Sequence, residues 1–229
     1  MKLLANTYSP TFNSRSAVIR KADNIARLSN RLFPSVSSSR TKMRAKGIEK
    51  FKDLHKNISK IIGENVRCHS KQPDALARVM LICSAMKKFK AGNCMEISRI
   101  TNLICKVNGI DTIPFQFNVI KNGQAREIDH MALLYPLKNL PKEKQNFSNS
   151  KNFIIIDPWL GFADYAPKAQ ERYNKDFKKL LDIGAEEKLV INPNYISHTD
   201  KLLNVDVILL ERLFPAWIKL FTLPKSLQK

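Results

Sequence analysis

The chain lacks any uninterrupted apolar run near the roughly 18 residues that a membrane-spanning helix needs. Its first five residues begin in the manner of a secretory signal, but Asn6 and Thr7 cut the apolar stretch short. No internal repeat is visible either. We therefore expect neither a spanning helix nor a signal of the general secretory pathway.

Signals of cysteine pairing are also missing. The four cysteines, Cys68, Cys83, Cys94 and Cys105, form no C-x-x-C pair and have no histidine at metal-ligand spacing. This argues against a disulfide framework and a zinc site, and it favours a reducing compartment. Cys83 and Cys105 fall inside apolar helical patterns, where a thiol is usually buried and inert. We expect no metal and no other cofactor.

Acidic residues are scarce. The 229 residues include 39 Lys or Arg but only 20 Asp or Glu, so the formal net charge is +19. Such a charge attracts nucleic acid, acidic lipid or an acidic protein face, although a solvated basic surface without a partner has the same composition. The aromatic, zinc-finger and glycine-rich motifs of nucleic-acid binding are absent. Nucleic acid is therefore the least favoured partner.

The positive charge is concentrated near the N-terminus, where residues 1–50 contain eleven Lys or Arg and only two acidic residues. Apolar residues from Ala17 to Leu32 have the spacing of an amphipathic helix, which should end before Pro34. The composition is typical of mitochondrial transit peptides and also of the N-termini of bacterial effectors that dedicated secretion systems inject, and a mobile basic arm would share it. We assign residues 1–40 to an N-terminal arm outside the core, dispensable for chemistry, and residues 41–229 to one domain.

The periodicity predicts an α+β domain. Helical patterns are followed by strands that flank an Asn122-Gly123 turn, a strong hairpin signal. The predicted helices are 42–62, 73–89, Cys94 to Val107, 168–182 and 200–213; the predicted strands are Pro114–Ile120, Glu127–Tyr135, Phe153–Asp157 and Leu189–Ile191.

Cys94 lies at the start of a predicted helix. Gly92 breaks the preceding pattern, and Asn93 is a good N-cap residue. A thiol in the first helical turn faces N–H groups without intrahelical acceptors and the positive end of the helix dipole, both of which favour the thiolate. The same N–H groups can hold a developing oxyanion.

His130 and Asp157 lie on successive predicted strands. If these strands are neighbours in the sheet, the two side chains can meet on one face. Asp129 adjoins His130, but successive side chains of a strand point to opposite faces, so Asp157 is favoured as the partner. Taken singly, a lone cysteine or histidine is usually structural. The order Cys94, His130, Asp157 at element edges favours a nucleophile, a base and an orienting carboxylate.

The stretches Gly92–Glu96, Asp129–His130 and Asp157–Trp159 resemble papain-like and transglutaminase-like cysteine enzymes, above all secreted bacterial effectors. That group includes cysteine proteases and protein-glutamine deamidases. The resemblance covers about residues 70–165. It implies a papain-like core, with the nucleophile on a helix N-terminus against a small antiparallel sheet.

By this resemblance Cys94 is the nucleophile, His130 the base and Asp157 the orienting residue, while Trp159 forms a wall of the site. One departure concerns the glutamine that the papain group places shortly before its nucleophile to bind the oxyanion. Residues 87–90 hold three lysines and a phenylalanine instead. Asn93 or backbone N–H groups would have to serve.

The resemblance implies a thiol hydrolase that acts on an acyl or carboxamide group of a host protein, as a glutamine deamidase or a cysteine protease. Residues 41–229 would form the papain-like catalytic domain, delivered by a bacterial injection system into the host cytoplasm. A mitochondrial matrix location after removal of a transit peptide is the alternative. A different class of function also fits: a non-enzymatic basic module that binds acidic protein, lipid or nucleic-acid surfaces, with Cys94 structural.

Overall fold

The computed structural model describes residues 12–32, 94–121, 124–177 and 187–196. Its helices are α1 (Phe12–Leu32), α2 (Cys94–Val107) and α3 (Ala166–Arg172), and its strands are β1 (Ile113–Lys121), β2 (Gln124–Pro136), β3 (Gln145–Asn146), β4 (Phe153–Asp157), β5 (Phe162–Tyr165) and β6 (Lys188–Ile191). A π-helical turn, Tyr173–Phe177, continues α3. The predicted helices at 42–62, 73–89 and 200–213 and the boundary at residue 40 lie outside the described residues.

The six strands form one antiparallel sheet in the order β3-β6-β1-β2-β4-β5. Strands β1 and β2 pair up to Lys121 and Gln124, so two residues connect them, as the Asn122-Gly123 signal predicts. The α+β class is thus confirmed. The sequence missed β5 because its four residues carry little alternation.

Helix α2 lies against the sheet through one apolar side. Ile97, Ile100, Leu103 and Ile104 recur at spacings of three and four and are all buried. The helix ends at Gly109, whose φ of +74° is a conformation that glycine adopts without strain. The bonds from Gly109 N–H to Lys106 O and from Ile110 N–H to Cys105 O, at 2.9 and 2.8 Å, close its C-terminus.

Helix α1 is part of the core. The predicted amphipathic helix is confirmed, and Ala22, Ile25 and Ala26 on its apolar side are completely buried. The prediction that residues 1–40 lie outside the core is therefore wrong for residues 12–32. An apolar stripe needs a surface to cover it, and β4, β5 and α2 provide that surface. Periodicity predicted the apolar side of this helix, but it did not identify the surface that covers that side.

Two polar contacts connect α1 to the turn after β4 and to strand β5. The Asn30 amide donates to the carbonyl of Trp159 at 2.7 Å, and Asp23 accepts from the backbone N–H of Ala163 at 2.9 Å. In the same turn Gly161 has a φ of +74°, and a Cβ there would lie 3.3 Å from Asn30 Cβ. Helix α1 therefore supports the segment that follows Asp157.

Within the four described ranges, no helix has both the length and the apolar character that crossing a membrane requires.

Candidate active site

The register of β2 and β4 brings His130 and Asp157 together. Leu133 pairs with Ile156, and one further step along this register sets Asp157 opposite Ala132. His130 is two residues from Ala132 and so lies on the same face, as a diagonal neighbour of Asp157. His130 Nε2 is 2.6 Å from Asp157 Oδ2, and both side chains are almost completely buried.

Cys94 is the third member of this cluster. It is the first residue of α2, it is partly buried, and its thiol is hydrogen-bonded to the His130 ring. Because Asp157 occupies Nε2, Nδ1 is the ring nitrogen left for the sulfur. The structure thus brings together all three residues that the sequence singled out, in the order Cys94, His130, Asp157.

Ser98 fixes helix α2 beside His130. It lies one turn after Cys94, is fully buried, and donates from Oγ to the carbonyl of Met131 at 3.0 Å. Met131 follows His130 directly on β2. The bond therefore joins the helix that positions the thiol to the strand that positions the imidazole, and it limits how far the two can separate.

Asp157 is held by several donors at once. Its Oδ1 accepts from the backbone N–H of Leu160 at 2.9 Å, and its Oδ2 accepts from the Tyr173 hydroxyl at 2.7 Å as well as contacting His130. Its backbone carbonyl accepts from Gly161 N–H at 2.8 Å. Sequence reasoning missed Tyr173, because only the packing of the π-helical turn behind β4 brings it to this carboxylate.

The environment of His130 keeps its ring protonated. Burial is the largest effect and lowers its pKa, but the charge of Asp157, the hydrogen bond that Asp157 accepts from the ring and the contact with Cys94 together outweigh it. The result is a pKa raised from 6.5 to about 10. At neutral pH His130 is therefore an imidazolium, with its charge beside the Cys94 sulfur.

Trp159 covers the imidazole. Its ring centroid lies 5.2 Å from that of His130 at an interplanar angle of 58°, and only 3% of the residue is exposed. This position fits the predicted wall, since it keeps water away from the bond between His130 and Asp157. Its indole Nε1 is buried without a hydrogen-bond partner.

The sequence also suggests two other residues: Asn93 as an oxyanion donor, and Asp129 as the less favoured partner of His130. Asn93 and the side chain of Asp129 lie outside the described residues. Helix α2 begins at Cys94, so the backbone N–H groups of its first turn are the candidate oxyanion donors. Across the described ranges, no cluster of three His, Cys, Asp or Glu side chains is arranged to hold a metal ion.

Comparisons with protein-family models, with curated proteins and with solved structures give no match to this chain.

Asp157→Asn is expected to lower the pKa of His130 and to slow the chemistry. The amide carries no charge, so the burial that lowers the pKa is no longer outweighed. We expect turnover to fall by about 10²- to 10⁴-fold. Titration of the His130 ring by NMR measures the change in its pKa. The rate of Cys94 alkylation at pH 7 measures the reactivity of the thiol and needs no known substrate.

Asp129→Asn is the matched control for this change, since it removes a carboxylate next to His130 in sequence. It should leave both the titration and the alkylation rate nearly unchanged. A larger loss in Asp129→Asn than in Asp157→Asn would contradict the assignment of Asp157 as the orienting residue.

Proposed function

We propose that this protein is a thiol-dependent hydrolase with a papain-like core, which acts on an acyl or carboxamide group of a protein as a glutamine deamidase or a cysteine protease. Cys94 is the nucleophile, His130 the acid and base, and Asp157 the residue that orients the imidazole. One observation carries the proposal: a series of hydrogen bonds runs from the partly exposed Cys94, at a helix N-terminus, through the buried His130 to the buried Asp157.

The position of the His130–Asp157 pair supports a chemical role over a structural one. A buried ion pair is weak evidence for stability, because the loss of hydration offsets much of the attraction between the charges. Here the pair is completely buried but lies directly beside a partly exposed thiol. An imidazole that is oriented by a carboxylate and hydrogen-bonded to a thiol is the arrangement that activates a cysteine nucleophile.

In the first half of the reaction, the Cys94 thiolate attacks the carbonyl carbon of the substrate. The carbonyl electrons move onto oxygen, where first-turn N–H groups of α2 stabilise the charge. As the tetrahedral intermediate collapses, the C–N bond breaks and the His130 imidazolium gives its proton to the departing nitrogen. The products are a thioester on Cys94 and ammonia or an amine.

In the second half, water attacks the thioester. His130, now neutral, takes a proton from the water, and the C–S bond breaks to leave a carboxylic acid and the Cys94 thiolate. The imidazolium is thereby restored. Attack on a glutamine side chain yields glutamate, whereas attack on a peptide bond yields two fragments.

The resemblance to secreted bacterial effectors extends the proposal to a host protein as substrate and to delivery into the host cytoplasm. The net charge of +19 suits contact with an acidic protein or membrane surface. Arg20 and Arg31 are exposed on helix α1 and contribute to such a surface.

Selective alkylation tests the nucleophile. At neutral pH, Cys94 should react with iodoacetamide at least about tenfold faster than Cys105, because Cys94 is partly exposed beside the cationic His130 ring, whereas Cys105 is buried and burial raises its pKa to about 12. Peptide mass mapping after short exposures measures both rates. Equal, slow labelling of the two cysteines would favour the binding module in which Cys94 is structural.

Intact mass distinguishes the two reactions. Candidate host proteins incubated with the enzyme should gain about 1 Da for each deamidated glutamine, or should be cut into fragments. The Cys94→Ala variant provides the matched blank. Hydrolysis would be contradicted if Cys94 is alkylated selectively but the protein alters no amide or peptide bond in any candidate host protein.

A further inference from the structure

Two donors share a single oxygen of Asp157. His130 Nε2 lies 2.6 Å from Oδ2, and the Tyr173 hydroxyl donates to the same Oδ2 at 2.7 Å. Asp157 and Tyr173 are completely buried and His130 is 2% exposed, so no water competes for this oxygen. The electron density of Oδ2 is therefore divided between the imidazolium and the phenol.

The orientation of Asp157 does not depend on Tyr173. Its Oδ1 accepts from Leu160 N–H, and its carbonyl accepts from Gly161 N–H, so the turn after β4 fixes the residue from the backbone side. Pro158 further restricts Asp157 to the extended conformation of the strand end. Removal of the Tyr173 hydroxyl would therefore change the charge that His130 experiences more than it would change the direction of the carboxylate.

Tyr173 is held firmly as a donor. Its ring makes edge contacts with Phe162 and Phe147, at centroid distances of 5.2 and 6.3 Å. Burial, and then the charge of Asp157, raise the pKa of Tyr173 well above 10, although the charge of Arg172 partly opposes this. The hydroxyl consequently keeps its proton throughout the pH range in which the proposed enzyme would work.

We propose that Tyr173 is a positioning residue that shares Asp157 Oδ2 with His130 and thereby limits how strongly the carboxylate holds the imidazolium proton. This inference rests on the proposed function, because a proton held too strongly would not reach a leaving amine. A carboxylate that accepts a neutral hydrogen bond is a weaker acceptor for the imidazolium. Tyr173 thus keeps His130 acidic enough to act.

The first test needs no substrate. In a full-length Cys94→Ala background, Asp157 is the remaining charged group in contact with His130, and the His130 ring can be titrated by ¹⁵N NMR. Tyr173→Phe should raise the pKa of His130 by about 0.5 to 1, because Asp157 loses one of its donors. His130→Gln identifies the resonances of this ring among the four histidines.

Tyr165→Phe is the matched control, since Tyr165 also packs partly buried against the core and the change removes the same atom. It should leave the titration of His130 unchanged. An unchanged pKa in Tyr173→Phe would overturn the inference. A fall would overturn it too, because it would show that the hydroxyl orients Asp157 instead of weakening its hold.

A second variant covers the case in which Tyr173→Phe does not fold. Replacement of all tyrosines by 3-fluorotyrosine keeps every hydroxyl and makes each a stronger donor, so the pKa of His130 should fall in the fluorinated protein. No change there would contradict the sharing of Oδ2.

The kinetic test follows once a substrate is in hand. Tyr173→Phe should lower kcat more for substrates with basic leaving amines than for activated esters, with little change in KM. A protein that shows the NMR shift but hydrolyses nothing would leave the role of Tyr173 intact and would contradict the proposed function instead. Equal loss on both substrate classes would contradict the role of Tyr173 in proton delivery.

Discussion

Replacement of Cys94 by alanine is expected to abolish turnover and leave the fold intact. No other group of the described site can form the acyl intermediate, so kcat should fall by at least about 10³-fold. Cys94 is only partly buried at the start of α2, so the loss of its sulfur costs little packing. Turnover on a modified host protein and thermal unfolding measure the two effects on the same preparation.

A test of His130 requires a substitution that destabilises the fold less than alanine does. His130→Ala would leave the fully buried Asp157 charge without its cationic partner, and breaking a buried pair costs about 3–5 kcal/mol. His130→Gln retains a donor for Asp157 and removes only the acid and base, so it separates loss of chemistry from loss of stability. We expect it to be nearly as inactive as Cys94→Ala.

The double variant Cys94→Ala/His130→Gln provides a further check. Because the two residues act as one unit, it should be no slower than the worse of the single variants. Cys105→Ala is the control for thiol loss, since Cys105 is buried in the core and should affect stability alone. Retention of more than a tenth of wild-type turnover by Cys94→Ala would contradict the assignment of the nucleophile.

Deletion of residues 1–40 is expected to unfold the protein. The deletion removes α1, which buries Ala22, Ile25 and Ala26 completely, and it exposes apolar surface on β4 and β5. Full burial of one isoleucine is worth about 1.5–3 kcal/mol, and a whole domain is stable by only about 5–15 kcal/mol. Circular dichroism and size-exclusion chromatography of a chain beginning at Thr41 should show an unfolded or aggregated product.

Three milder changes test which part of the deleted segment stabilises the fold. A chain that begins at Thr11 keeps α1 and should unfold at nearly the wild-type temperature. Ile25→Ala should cost about 2–5 kcal/mol, whereas Arg20→Ala, on the exposed side of the same helix, should cost less than about 0.5 kcal/mol. A folded and fully active Thr41 chain would show that α1 is dispensable after all.

The residues of the triad were easier to predict from the sequence than the residues that hold them in place. Cys94 stood out because Gly92 and Asn93 mark a helix start, and Asp157 because Pro158 ends its strand. Strand alternation then favoured Asp157 over Asp129, and the contact of 2.6 Å with His130 agrees with it. Local rules were sufficient for Cys94 and Asp157, since each lies at the end of an element, whereas His130 lies in the middle of β2.

Tyr173 and Asn30 followed no such rule. Tyr173 reaches Asp157 only because a π-helical turn packs behind β4, and Asn30 contacts Trp159 across 129 positions of sequence. Periodicity describes which side of a helix is apolar, but it does not identify the surface that covers that side. The partner of α1 therefore emerged only from the three-dimensional structure.

The way in which α1 is attached also determines how the protein responds to a pulling force. A force applied at the N-terminus reaches α1 before it reaches the sheet, and α1 is held by side-chain packing and a few polar contacts with no ladder of strand pairs. Pulling it away would release the carbonyl of Trp159 and the N–H of Ala163, which flank the turn that fixes Asp157. A chain threaded through a narrow pore from its N-terminus would therefore lose the geometry of its triad before its β-sheet opened, and it would regain that geometry only after α1 had docked again.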